Sequence, residues 1–230
     1  MKERLSQLWR QQIYSRQDTP SSVLPFIAFE GIDGSGKSTQ MARLVARLQS
    51  QGISVHSTQE PTTSPIGSVI RQMMSGRIVG SHEAIAGLFV ADRLDHILNP
   101  VDGMLPLLSQ GMVVVSDRYY FSSYAYHAPH VDVDWVIAAN SLAAKLLRPA
   151  VTIYLDVEPS VAIKRIERSR SRLQLYETLE NLTLTRDAYL SAFERQRGIE
   201  NIAIVDGDSD PDFVEEAIWK LIVPIVSGVV

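Results

Sequence analysis

The chain predicts an α/β protein built on a doubly wound parallel sheet. Three observations carry that expectation. From Pro25 onward, apolar strand patterns alternate with helical ones. Two strands, Met112-Val113-Val114-Val115 and Val151-Thr152-Ile153-Tyr154-Leu155, are nearly unbroken apolar runs, the pattern of strands covered by helices on both faces. The first strand, Phe26-Ile27-Ala28-Phe29, leads directly to Gly31-Ile32-Asp33-Gly34-Ser35-Gly36-Lys37-Ser38, a glycine-rich turn with a helix starting near Lys37.

Element by element, strands are expected at 26–30, 53–58, 112–116, 150–157 and 201–205. Helices are expected between them at 37–51, 65–75, as a long pair within 81–110, then at 132–147, 159–170, 173–197 and 211–222. Pro159 marks the start of the helix after the fourth strand. Upstream, Leu5, Leu8, Trp9 and Ile13 fall near one helical face, so residues 1–24 read as an extension with a short amphipathic helix or a simple arm. Thr19-Pro20-Ser21-Ser22 is a polar connector to a single domain over 25–230. No internal repeat is present.

Composition narrows the class. An apolar fraction of 45% and a charged fraction of 21% are ordinary for a globular protein. A formal charge of −4 argues against a surface that coats nucleic acid. The chain has no cysteine, which excludes thiol chemistry and a disulfide frame. The apolar tail 221–226 is too short and too proline-broken to span a bilayer, and the start lacks a signal-peptide core. A cytoplasmic protein with no membrane or nucleic-acid partner is expected.

In a sheet of this kind ligands sit beyond the carboxyl ends of the strands, and the chemistry is concentrated there. The turn at 31–38 is a phosphate cradle: glycines let backbone N–H groups face phosphate oxygens, Lys37 reaches the terminal phosphates, and the Ser38 hydroxyl suits Mg²⁺. The second strand ends in Gln59-Glu60-Pro61-Thr62 and the third in Ser116-Asp117-Arg118-Tyr119. Asp117 is the candidate second metal ligand, and Arg118 is placed to fork onto a phosphate. Phe89 and Arg93 share a helix face at i, i+4, a ring and a guanidinium suited to a planar base. Lys164, Arg165, Arg168, Arg170 and Arg172 form a basic cluster after the fourth strand, read as a lid at about 165–176.

These motifs, in this order, resemble thymidylate kinase, especially the version common in archaea. The resemblance runs from about Phe26 to Gly207. It rests on Phe29-Glu30 with the phosphate turn through Thr39, Glu60-Pro61-Thr62, Ser64-Pro65-Ile66-Gly67 with Ile70-Arg71, and Phe89-Val90-Ala91-Asp92-Arg93. Asp117-Arg118-Tyr119 through Tyr126, Tyr154-Leu155-Asp156-Val157 and Leu175-Tyr176-Glu177 complete it.

The resemblance implies a P-loop nucleoside monophosphate kinase-like fold, a five-stranded parallel sheet with helices on both faces. It implies transfer of phosphate from ATP to thymidine monophosphate, with Mg²⁺ as cofactor, and a two-fold homodimer to which 84–90 contributes. It assigns Gly31, Ile32, Asp33, Gly34, Ser35, Gly36, Lys37, Ser38 and Thr39 to ATP, and Ser38 and Asp117 to the metal. Asp33 is to receive the acceptor's 3′-hydroxyl, Phe89 to stack on thymine, Arg93 to bond its carbonyl edge and Ser123 to face it. Tyr126 is to stand against the sugar, and Arg118, helped by Arg71 and beside Glu60, to grip the acceptor phosphate. Because Gly34 and Ser35 occupy the loop where some members carry arginine, transfer is assigned to Lys37, Arg118 and the lid arginines Arg168, Arg170 and Arg172.

Two positions depart from the family's pattern: Gln59, where arginine is usual, and His127, where glutamine is usual. Base selectivity is the property they affect. The residues alone leave open another nucleoside monophosphate kinase, a deoxynucleoside kinase or a catalytically silent nucleotide-binding module. A GTPase switch is excluded by the lack of an Asn-Lys-x-Asp string.

Overall fold

All five residues of Phe26–Glu30 are buried, which makes this strand the centre of the sheet. Its side chains alternate between faces: Phe26 and Ala28 enter one core, Ile27 and Phe29 the other. The computed structural model describes residues 13–14, 25–169 and 178–227. Its strands are β1 (Ile13–Tyr14), β2 (Phe26–Glu30), β3 (Val55–Gln59), β4 (Val113–Asp117), β5 (Val151–Asp156) and β6 (Ile202–Asp206), in the spatial order β1-β6-β5-β2-β4-β3.

Strands β2 to β6 pair in parallel throughout, the five-stranded parallel sheet that the sequence predicts. The chain adds one piece to it. Ile13 and Tyr14 pair antiparallel with Ala203 and Ile202, so Ile13 lies on a short edge strand, a placement that neither reading of the extension, amphipathic helix or simple arm, included. The free edge of β6 offers backbone groups that such a segment can satisfy. Leu5, Leu8 and Trp9 lie outside the described residues.

The helices are α1 (Lys37–Ser50), α2 (Pro65–Met74), α3 (His82–Leu98), α4 (Met104–Ser109), α5 (Tyr120–His127), α6 (Val133–Leu146), α7 (Pro159–Ser169), α8 (Leu179–Arg195) and α9 (Pro211–Val226). On one face of the sheet Ile27, Val115 and Ile153 meet Leu44 and Leu48 of α1 and Ile218 and Ile222 of α9. On the other, Phe26, Val114 and Tyr154 meet the aromatic side chains of α5 and α8, including Phe121, Tyr189 and Phe193. Helices therefore cover both faces, as expected.

Three helices depart from expectation. The one expected at 173–197 begins at Leu179 behind an N-cap at Thr178, and 173–177 lie outside the described residues. Helix α5 was not anticipated, because every one of its eight residues is buried and no polar face marks its period. Helix α9 runs past the expected stop at 222 with Pro224 inside it. Pro224 is exposed while Ile222 and Val226 are buried, so packing on the sheet holds the last turn despite the missing N–H. No helix among the described residues is long and apolar enough to cross a membrane.

Because β2 lies between β4 and β5, the strand order reverses at its carboxyl end. A crevice opens at such a point.

Candidate active site

A cavity of about 780 Å³ occupies that crevice. Its floor is the turn after β2, where Gly31, Gly34 and Gly36 all have positive φ. At Gly34 the requirement is also steric: a Cβ there would lie 2.5 Å from the Ala162 carbonyl oxygen and 3.0 Å from Ile166. Helix α7 thus rests directly on the turn, and a side chain at position 34 is excluded. Lys37, 6% exposed, folds over the turn and donates from Nζ to the carbonyls of Gly31 (3.0 Å) and Ile32 (3.1 Å). Burial holds its ammonium below the ordinary lysine value; the nearby Arg118 charge adds to this and the Asp117 and Asp33 carboxylates oppose it.

Beside the turn, Ser38 Oγ donates to Asp117 Oδ2 at 3.0 Å, joining α1 to the end of β4. Asp117 Oδ1 is buried and takes no hydrogen bond from the protein. A hydroxyl oxygen and an unsatisfied carboxylate oxygen side by side fit a hard cation. Among the described residues no group of three His, Cys, Asp or Glu side chains could hold a metal, so a cation here would draw its other ligands from phosphate or water.

The opposite wall is organised around Arg118. This residue has φ of 75°, the left-handed region that non-glycine residues seldom adopt. Its Nη2 donates to Asp33 Oδ1 at 2.6 Å and to the Tyr126 hydroxyl at 3.0 Å, and that hydroxyl donates to Asp33 Oδ2 at 2.9 Å. Withdrawal from water would raise the Asp33 carboxyl, but the Arg118 and Lys37 charges outweigh it and hold it below the ordinary carboxylate range. The three groups form a closed ring at the mouth of the cavity, bringing together residues that the sequence separates by more than ninety positions.

Further along, Phe89, Ser123 and His127 line the cavity, with the Phe89 and His127 rings 5.3 Å apart. His127 is 2% exposed and its Nδ1 has no partner in the protein. Arg71 lines the cavity from α2, with its guanidinium turned back onto the carbonyls of Pro61 and Thr62 and onto Ser68 Oγ. Asp92 secures the same segment by accepting from the Thr62 N–H and from the Thr62 and Ser64 hydroxyls. The Glu60–Pro61 peptide bond is cis.

Arg93 differs from the sequence expectation. It is 0% exposed and absent from the cavity wall. Its Nε donates to Glu60 (2.9 Å), Nη1 to Ser123 (2.9 Å) and Asn140, and Nη2 to Glu60 (2.5 Å) and the Tyr119 carbonyl (3.1 Å). All five guanidinium hydrogens are committed, leaving none for the edge of a base. Buried Glu60 needs a counter-charge, and Arg93 supplies it while His96 Nδ1 lies 3.1 Å from the other oxygen.

Of the remaining expected residues, Gly34, Gly36, Ser38, Thr39 and Glu60 line the cavity, while Gly31, Ile32 and Ser35 form the turn beneath it. Arg168 is exposed at the end of α7, outside the cavity wall, and Arg170 and Arg172 lie outside the described residues. From the same helix Arg165, counted in the basic cluster but not among the site residues, lines the cavity and donates to the Gly207 carbonyl. Sequence reasoning also gave no role to Ser122 or Glu30. The available signal was a charged residue closing the apolar strand Phe26–Glu30.

A family model for thymidylate kinase matches residues 29–218, the span that contains all of these groups. The chain belongs to the thymidylate kinase family. It is 36% identical over 207 residues to the probable thymidylate kinase of Thermococcus kodakarensis, across 86% of this chain and 96% of that one. It is 37% identical over 205 residues to the probable thymidylate kinase of Pyrobaculum aerophilum, across 88% and 98%. The probable thymidylate kinase of Staphylothermus marinus is 33% identical, across 86% and 94%. Within this chain, the phosphate turn and Phe89, Arg118 and Tyr126 line one and the same cavity.

Proposed function

We propose that the protein transfers the terminal phosphoryl group of ATP to thymidine monophosphate, giving ADP and thymidine diphosphate. One observation carries this reading beyond family membership: a continuous cavity runs from the phosphate turn to an aromatic and polar wall past Arg118. That is the arrangement for two phosphate-bearing ligands end to end.

A phosphate oxygen of the acceptor attacks the terminal phosphorus of ATP, and the bond to the bridging oxygen breaks as ADP leaves. The attacking oxygen is already ionised at neutral pH, so no general base is needed. Catalysis is then alignment and charge neutralisation. Lys37 shifts from the Gly31 and Ile32 carbonyls onto the donor phosphates. Arg118 grips the acceptor phosphate, Asp33 accepts the 3′-hydroxyl, and Tyr126 closes the space that a 2′-hydroxyl would need. Phe89 stacks on the base, and Ser123 and the unpaired Nδ1 of His127 meet its edge. Arg71 assists at the phosphate once it leaves the carbonyls of Pro61 and Thr62. Arg93 acts through Glu60 and Ser123, fixing the wall without touching the base.

Ser38 and Asp117 would hold Mg²⁺, consistent with the unsatisfied Asp117 oxygen. When bound, the ion neutralises charge on the donor phosphates. The turn carries no arginine and Gly34 has no room for one, so we assign Arg168, Arg170 and Arg172 the assisting duty. A two-fold homodimer and a cytoplasmic setting go with this reading.

The test is a coupled ADP-release assay with ATP, Mg²⁺ and every common nucleoside and nucleoside monophosphate. Thymidine monophosphate is expected to be the best acceptor. A nucleoside phosphorylated faster than any monophosphate would overturn the proposal, as would ADP release with no acceptor preference.

A further inference from the structure

Glu30 closes β2, is 0% exposed and has no part in the reaction described above. Its Oε1 accepts the backbone N–H groups of Tyr119 (2.9 Å) and Ser122 (3.0 Å), supplying the cap that Tyr119 does not give α5. Its Oε2 accepts the hydroxyls of Ser122 (2.6 Å) and Tyr189 (2.8 Å). Burial pushes the carboxyl above its ordinary value, and the bond from Ser122 and the Arg118 charge pull against this.

The polarity of these bonds has a consequence for Arg118. Held by two backbone N–H groups and facing the Arg118 charge, Glu30 acts as a carboxylate that can only accept, so both hydroxyls point their hydrogens at it. Each oxygen then turns lone pairs the other way. The two oxygens lie 2.9 Å apart, and Arg118 Nη1 faces both, at 3.1 Å from Ser122 and 3.5 Å from Tyr189. The backbone is tied in the same place. Arg118 donates its N–H to the Phe29 carbonyl at 2.8 Å, and the next N–H, that of Tyr119, goes to Glu30. The left-handed φ of Arg118 is thereby held from both sides.

We infer that Glu30 is a positioning residue for Arg118: its negative charge makes the Ser122 and Tyr189 oxygens acceptors that fix the guanidinium where an acceptor phosphate would sit. The inference rests on the acceptor site described under Proposed function. A neutral amide of the same shape would donate to one hydroxyl, reverse its hydrogen and aim a donor at Arg118.

The experiment compares wild type, Glu30→Gln, Tyr189→Phe and the double variant. Calorimetry gives binding of thymidine monophosphate and ATP, and steady-state rates give KM and kcat. In Glu30→Gln, Kd and KM for thymidine monophosphate should rise about tenfold or more, while ATP binding changes by less than about twofold. Tyr189→Phe should weaken acceptor binding by roughly threefold, with little further loss in the Glu30→Gln background. Acceptor binding unchanged in a folded Glu30→Gln protein overturns the role of Glu30, as does equal weakening for both nucleotides. If that variant does not fold, Tyr189→Phe decides, and wild-type acceptor affinity in it overturns the inference. Wild-type protein that binds no thymidine monophosphate contradicts the underlying reading instead.

Discussion

The Asp33 carboxylate and the Arg118 guanidinium meet at 2.6 Å, one on the turn after β2 and the other just past β4. This contact ties the phosphate turn to the opposite wall, so the two halves of the cavity share one charge pair. Removing the guanidinium should therefore cost chemistry more than stability. Arg118→Ala is expected to lower kcat with thymidine monophosphate by about 10²–10³ or more. The pair is only partly exposed, at 15% and 29%, so the fall in melting temperature should stay smaller than for the fully buried Arg93–Glu60 pair. Stopped-time product analysis and thermal melting measure both quantities; near-normal turnover would remove Arg118 from the mechanism.

The two glycines of the turn separate strain from clash. Gly34 and Gly36 both have positive φ, but a Cβ at Gly34 meets the backbone of α7 whereas one at Gly36 meets nothing within 4 Å. Gly36→Ala should destabilise the unliganded protein by about 1–2 kcal/mol, the left-handed penalty alone. Gly34→Ala should lose distinctly more, because α7 must move away. Chemical denaturation of both variants without nucleotide tests this, and equal losses would mean that α7 does not seat on Gly34.

Arg93 and Glu60 form a buried pair at 2.5 Å. Arg93→Met leaves the Glu60 charge without its counter-ion, for an expected loss of about 3–5 kcal/mol. In a protein of this size that is a fall in melting temperature of roughly 10 °C. A variant with wild-type stability and selectively weakened thymine binding would instead restore Arg93 to the base edge.

His127 predicts the acid limb of stability. Burial, with the Arg93, His82 and His130 charges adding, lowers its pKa from 6.5 to about 3. The unfolded chain therefore binds this proton before the folded one does. The contribution is fully present above the unfolded value and is lost as pH falls through the window between them. The slope is about 1.4 kcal/mol per pH unit below roughly pH 6. In His127→Gln that part of the pH dependence should vanish, as denaturation curves at pH 7, 5 and 4 would reveal. The imidazole stays neutral across the same range, so activity should carry no inflection from it near pH 6.5.

Selectivity should follow the sugar more than the methyl. Apolar contact with the 5-methyl is worth about 1–3 kcal/mol, so deoxyuridine monophosphate should be a fair competitor. Tyr126, whose hydroxyl is fixed by Asp33 and Arg118, is the barrier to a ribose. In Tyr126→Ala the gap in kcat/KM between uridine and deoxyuridine monophosphates should narrow by about tenfold or more. An unchanged ratio would take that role from Tyr126.

How much of this was legible in the chain depends on which physical signal each part leaves. The parallel strands were readable because strands buried on both faces, such as Val113–Asp117 and Val151–Asp156, produce apolar runs that little else produces. The turn at 31–38 was readable from glycine and lysine spacing alone. Helix α5 was hidden because complete burial erases its periodicity. The buried bonds of Arg93 were hidden for a related reason: a motif gives a residue's position but not the direction in which its charge is satisfied, and Glu60 lies 33 positions away. The role of Glu30 left no local signal, because its four donors come from Tyr119, Ser122 and Tyr189, far along the chain.

In the proposed reaction one cavity holds a donor on the glycine turn and a nucleotide monophosphate against Phe89 and Arg118. A crystal structure of the protein with thymidine monophosphate and a non-hydrolysable ATP analogue tests it most directly. Lys37 is expected on the donor phosphates, Arg118 on the acceptor phosphate, thymine against Phe89, and Arg93 still bound to Glu60 behind the wall. An acceptor lodged elsewhere, or a cavity too closed to admit both ligands, would contradict it.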